Sequence, residues 1–271
     1  MAALAYDGPL RFGLFLAPFH SAKLNPTYAF ERDLMLAEHL DRIGFDELWF
    51  GEHHSGAMEM VAAPELMVAA AAQRTRYIRL GTGVKSLPFH NPFMLAEAMA
   101  QLDHLTRGRA MFGVGPGALP TDVHMLGIEM NQIRHRMDEA LDTIVALMRG
   151  ETVTQKTEWY HLREARLHVG CFVKPFMEMA VTSVRSPAGV VAAGRHGLGV
   201  LTLGPTTDAA LDHHLENWDI YETECLRHGH RPDRAKWRIT VAMHIAETRE
   251  KAFADTEFGF HEWIDYTHDV I

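Results

Sequence analysis

Glu52-His53-His54 places three titratable side chains together in a segment bounded by Gly51 and Gly56. An imidazole changes charge near neutral pH, so a carboxylate beside histidines can do general acid/base work. The alternative is a loop in which one histidine only satisfies backbone groups. A metal is the weaker reading. Neighbouring residues on an extended segment point to opposite faces, so His53 and His54 rarely serve one ion. His20, His90, His104 and His124 show no metal-binding spacing either. No metal is expected.

Three further segments could contact a ligand. Leu80-Gly81-Thr82-Gly83-Val84 has two glycines at a strand end. They allow a flat ligand to approach closely, and a bulge or tight packing accounts for them equally well. Gly113-Val114-Gly115-Pro116-Gly117 fails as a dinucleotide fingerprint, because the G-x-G-x-x-G spacing is absent and Pro116 opens a loop. It is either a cofactor-lining loop or simple turn chemistry. Ser183, Arg185 and Ser186 precede Pro187 at an expected helix start. Free N–H groups and hydroxyls there suit a phosphate, and an ordinary N-cap by Ser186 is the alternative. The chain has no G-x-S-x-G elbow, P-loop or H-E-x-x-H motif.

The elements that must position these segments alternate. Strands are expected over Leu10–Pro18, Glu47–Phe50, Ile78–Leu87, Arg109–Val114, Met177–Thr182, Gly199–Leu203 and Trp237–Ile245. Helices are expected over Thr27–Ile43, Pro64–Arg74, Asn91–Leu105, Ile133–Met148, Pro187–Arg195 and Asp208–His228, with another beginning at Thr248–Phe253. Strand–helix alternation at ~30-residue spacing means βαβ units and a parallel sheet, open or closed into a barrel. Both arrangements put their sites on loops after strand C-termini, where the Gly/Pro/His-rich segments fall. The polar stretch Glu151–Gly170 reads as an insertion, possible as a hairpin. Seven strands of this kind leave a barrel one short of the usual eight, so its last strand and helix are expected to be missing here.

Composition narrows the classes. The chain has 271 residues, 47% hydrophobic and 23% charged, which excludes wholesale disorder, collagen-like repeats and coiled coil. A net charge of -9 argues against nucleic-acid binding, which wants a basic footprint. Two cysteines cannot build a disulfide framework. The first residues lack a basic segment of the signal-peptide type, and no run of ~18 apolar residues is available to span a membrane. The expectation is a soluble, cytoplasmic protein.

In order along the chain, Arg11-Phe12-Gly13, Gly44-Phe45-Asp46-Glu47-Leu48-Trp49 into Gly51-Glu52-His53-His54, Arg79 to Val84, Leu102-Asp103 through Gly108-Arg109, Gly113-Val114-Gly115, and Ser186-Pro187 leading to Gly194-Arg195-His196-Gly197 form a pattern. It resembles the bacterial luciferase-like flavin monooxygenases. Leu16 to His20, Gly51 to Gly56 and Gly115 to Pro120 are most similar to limonene monooxygenase-type members. The resemblance implies one (β/α)8 TIM-barrel domain over residues 1–271, with the insertion at about 150–176. It implies reduced FMN, supplied by a separate flavin reductase, reacting with O2 to a flavin hydroperoxide that oxygenates a small apolar substrate such as a terpene. His53 falls on the family's catalytic histidine, flanked by Glu52 and His54. Thr82, Gly83 and Val84 would line the flavin ring, with a non-proline cis bond at Gly83–Val84. Gly115, Pro116 and Gly117 would approach the cofactor, while Ser183, Arg185 and Ser186 would hold its phosphate. Luciferase proper has a phosphate-binding arginine where this chain has Pro116, leaving Arg185 or Arg195 to supply the charge. A homodimer is implied. The same family includes deazaflavin-dependent oxidoreductases and flavin-binding proteins without turnover, and both remain open.

Overall fold

Parallel strands joined by helices bury both of their faces, and in this chain the two faces carry different chemistry. A computed structural model describes residues 9–17, 19–184, 186–204 and 208–270. Strands β1 (Gly13–Leu16), β2 (Glu47–Phe50), β3 (Arg79–Ser86) and β4 (Ala110–Gly115) are separated by helices α1 (Pro26–Ile43), α2 (Pro64–Arg74) and α3 (Pro92–Thr106). Helices α4 (Pro120–Met125) and α5 (Ile133–Met148) follow, then a hairpin of β5 (Val153–Lys156) and β6 (His161–Ala165). The chain resumes with β7 (Glu178–Thr182), α6 (Ala188–His196), β8 (Gly199–Leu203), α7 (Asp208–Arg227), β9 (Trp237–Thr240) and α8 (Arg249–Val270). Seven strands form one parallel sheet in the order β1-β2-β3-β4-β7-β8-β9, curled into a nearly closed barrel. The eighth strand of a full barrel is absent among the described residues, as expected. The polar stretch between α5 and β7 is a separate antiparallel hairpin.

Caps set the helix limits. The Asn25 carboxamide accepts from Thr27 N at 2.9 Å, and Asn91 accepts from Phe93 N at 3.0 Å, each just ahead of a proline. Two expected strands are shorter than their apolar runs: β1 covers only Gly13–Leu16 of Leu10–Pro18. β9 ends at Thr240 rather than Ile245, because its partner β8 runs out at Leu203, which pairs with Thr240. The segment after Gly117 contains α4, which is too short to show a helical period. No helix among the described residues is long and apolar enough to cross a membrane.

Alternation along each strand sorts residues to two cores. Leu48, Phe50, Leu80, Phe112, Val114, Met179, Val181 and Val200 join the helix-side core. Their neighbours face the barrel lumen. At its N-terminal end Arg238 donates to Glu47 at 2.7 Å and to Glu178 at 2.6 Å, while Arg79 lies 2.7 Å from Glu178. Burial alone would raise the Glu178 carboxyl, but Arg238 and Arg79 hold it below the ordinary value. Above this layer the Trp49 indole fills the lumen, donating to Glu47 at 3.0 Å, with the Arg238 guanidinium 5.2 Å from its ring. Register places Trp49 opposite Gly81. A Cβ at Gly81 would overlap the indole, and one at Gly113 would clash with the Thr82 carbonyl. Glycine at these two positions is therefore a packing requirement.

Gly81→Ala is expected to destabilise the fold by about 1–3 kcal/mol through overpacking. Urea unfolding should show a lower midpoint at unchanged slope; an unshifted midpoint would mean that the indole has room to move.

Candidate active site

Loops after strand C-termini converge at the other end of the barrel. The post-β2 loop brings His53 between two buried carboxylates. Its Nε2 lies 2.7 Å from Glu59 Oε2, and its Nδ1 lies 3.3 Å from Asp122 Oδ2. Glu59 follows in the same loop, bridged to Phe19 after β1. Asp122 comes from α4 and also accepts from His54 N at 3.0 Å and from the Ser55 hydroxyl. Burial would drive the His53 ring toward its neutral form; Glu59 first and Asp122 next outweigh this and raise it above the ordinary 6.5. Tyr266, from α8, closes the far side with its hydroxyl 3.5 Å from Glu59.

Glu52 points away from this pair. Its carboxylate is buried, accepts from Ser86 N, and lies 2.7 Å from His90 Nε2 and 2.9 Å from Lys85 Nζ. Lys85 is itself buried and reaches Glu65 at 2.9 Å. His54 Nε2 sits 3.4 Å from Glu52 without a hydrogen bond. Burial would raise Glu52, but the two histidines and the ammonium hold it well below the carboxylate range. Ligand atoms of Glu52, His54 and His90 come within 4.8 Å of one another, as a metal would require. The Lys85 ammonium, however, already supplies the positive partner of that carboxylate. Glu52 thus sits as an acceptor that ties β2 to β3, with no surface turned to the mouth.

The Gly83–Val84 bond is cis, and the β3–β4 register shifts between Thr82 and Lys85. Gly83 and Val84 are half-exposed at the mouth, with Phe15 against Gly83. Thr82 is corrected as a ring-lining residue: it is fully buried, and its hydroxyl donates to the Gly113 carbonyl at 2.9 Å. At Gly115 a Cβ would press on Thr182 and Val84 at 2.7 and 2.8 Å. Pro116 is half-buried in the loop, and Gly117 takes φ +86° with the Phe89 ring against it. After β7, the Ser183 hydroxyl donates to the Ser186 carbonyl at 3.1 Å, so the loop itself uses that group. The Ser186 hydroxyl accepts from Ala188 N at 3.3 Å and from Arg134 at 3.4 Å, but the cap position of α6 is Pro187, so Ser186 is not its N-cap. Arg185 lies outside the described residues. Arg195 is at the far end of α6, bound to Asp142 at 2.9 Å, so it is not available to this loop.

Glu59, Asp122, Lys85, Arg134 and Tyr266 were not singled out from sequence. Lys85 had a signal, a cation near the C-terminal end of a buried strand that must find a partner. The others lie on loops or helices that give no sign of direction before folding.

The arrangement is a half-exposed apolar floor with the His53 imidazole on one side and a hydroxyl and guanidinium on the other. His53 follows β2 and Ser186 follows β7, three strand spacings apart, roughly 14 Å along the rim. These residues fit a flat ring carrying an anionic tail.

A model of the luciferase-like monooxygenase family matches residues 10–269, and the chain belongs to that family. It is 47% identical over 263 residues to limonene 1,2-monooxygenase of Rhodococcus erythropolis, a match covering 97% of this chain and 67% of that protein. It is 43% identical over 263 residues to 4-hydroxyprotoasukamycin monooxygenase of Streptomyces nodosus subsp. asukaensis, covering 96% and 70%. Among solved structures, monooxygenase RslO1 from Streptomyces bottropensis is similar with a TM-score of 0.88 at 25% identity, covering 97% of this chain and 80% of that one.

Lys85→Met is expected to cost about 3–5 kcal/mol at neutral pH, since it strands the buried Glu52 charge. In the parent, the Glu52 contribution is complete above its ordinary value of 4.5 and is lost as pH falls below it, because the folded value is depressed. Urea titrations of both proteins across that range check the sign.

Proposed function

We propose that this protein is a flavin-dependent monooxygenase that takes reduced FMN from a separate reductase and uses O2 to oxygenate a small apolar substrate, such as a terpene. The observation that carries the reading is His53, fixed at the barrel mouth by two buried carboxylates beside the half-exposed Gly83–Val84 floor. Membership of the luciferase-like monooxygenase family and the two monooxygenase relatives support it. A limonene monooxygenase relative favours an apolar, terpene-like substrate.

Reduced FMN would supply the electrons that activate O2, one oxygen passing to substrate and the other leaving as water. The chain's own residues do the rest. Phe15, Val84 and Leu201 offer an apolar floor that favours a flat ring and an apolar substrate and excludes water. Gly83, partly exposed at the mouth, presents backbone without a side chain of its own. Ser186 and Arg134 give the phosphate a hydroxyl and a positive charge, with the α6 N-terminus behind them. His53 holds a proton at Nδ1 or Nε2 and presents it as a fixed donor. We also propose a homodimer, for which light scattering should read twice the chain mass.

Anaerobic titration should show the chain binding reduced FMN, and oxygenated buffer with an apolar terpene should yield oxygenated product. His53→Ala should keep flavin binding and lose about 10²-fold or more in turnover. Normal turnover by that variant removes His53 from the chemistry. Hydride transfer to a deazaflavin without O2 uptake would replace the oxygenase reading.

A further inference from the structure

The two carboxylates around His53 are not equivalent. Glu59 lies at 2.7 Å from Nε2 and Asp122 at 3.3 Å from Nδ1. Asp122 keeps two other donors, His54 N and the Ser55 hydroxyl, if the ring leaves it. Glu59 has beyond the ring the more distant Tyr266 hydroxyl at 3.5 Å. Both carboxylates are almost fully buried, so a weakened partner is felt strongly at Glu59.

Tyr266 completes the enclosure. It is buried at 7% exposure, whereas Phe253 and Phe258 on the same helix are 71% and 93% exposed. Its ring meets Phe19 edge-on at 5.4 Å, and its hydroxyl lies where a side chain on Gly56 would otherwise go. Glu59 is thus held by the post-β2 loop, bridged to Phe19, and covered by α8.

We propose that Glu59 is the positioning residue of the site: it anchors His53 through Nε2, so that the ring meets a ligand at the barrel mouth through Nδ1, released from Asp122. Tyr266 shields this anchor from water. The groups facing His53 are Glu59 from the loop, Asp122 from α4 and Tyr266 from α8 behind Glu59, with Glu52 and His54 adjacent in its own segment. Glu52 is turned to Lys85 and leaves the ring to the other two. The role in turnover rests on the monooxygenase reading, but the pairing does not.

The test uses the whole ligand-free protein with isotope-labelled histidine, followed by NMR across pH, with His53 assigned from the His53→Ala spectrum. The parent ring should still carry protons on both nitrogens at pH 6.5, its midpoint lying above that ordinary value. Glu59→Gln should lower its midpoint by about one unit or more, Glu59→Asp should largely keep it, and Asp122→Asn should move it less than Glu59→Gln does. A neutral His53 ring in the parent at that pH overturns the proposal without any variant. So does an unmoved midpoint in Glu59→Gln, whose fold the other histidine signals report. In turnover, Glu59→Gln should lower kcat more than it weakens reduced-FMN binding and should shift the alkaline limb of the pH profile downward. An unchanged kcat and profile would remove the role in turnover. If the parent oxygenates nothing, the monooxygenase reading fails, and the spectra still decide the pairing.

Discussion

Glu47, Glu52, Glu59 and Asp122 are carboxylates taken out of water inside or at the rim of a parallel barrel. A buried charge is tolerated only with a partner at hydrogen-bond distance, and most of the molecule's polar geometry follows from that demand. Arg238 meets it at the N-terminal end of the lumen, Lys85 meets it for Glu52, and His53 meets it for Glu59 and Asp122. Each of these three side chains comes from a different element than at least one of its partners. The pairs therefore fix strands and loops relative to one another as well as balancing charge.

The same constraint separates neighbouring residues by role. Glu52 and His53 are adjacent in sequence, yet extended backbone turns them to opposite sides. Glu52 is buried against β3 and ties two strands together. His53 remains at the mouth as a donor whose direction two other elements set. A run of three titratable residues is thus split into a structural carboxylate, a mouth-facing imidazole, and His54, which sits between them beside Phe89.

Glycine has two different uses in the same motifs. At Gly81 and Gly113 the missing Cβ makes room for Trp49 and for the neighbouring strand in the lumen. At Gly83 it leaves half-exposed backbone at the mouth, and at Gly117 it permits a positive φ. Packing and ligand approach looked like alternatives for this glycine pair. Packing is realised at Gly81, and Gly83 stands one layer higher at the mouth, where the proposed ligand would approach, because successive lumen-facing residues of a strand climb the barrel two at a time.

Much of the fold was legible before folding. α2, α5 and β8 span the residues their periodicity marked, since strong amphipathic or apolar runs bounded by proline and glycine leave little choice of element. The order of motifs also pointed to the family and to His53. The partners of His53 were not legible: Asp122 is 69 residues away on a helix of six residues, and Tyr266 is more than 200 residues away on α8. Arg195 and Thr82 carried suitable chemistry, but Arg195 sits at the wrong end of its helix and Thr82 faces a wall. Local sequence determined which segments are strands, helices and turns, because hydrophobic period and backbone restriction act over a few residues. Only the closed tertiary structure decided which charges meet, because burial and pairing depend on strand register and barrel curvature.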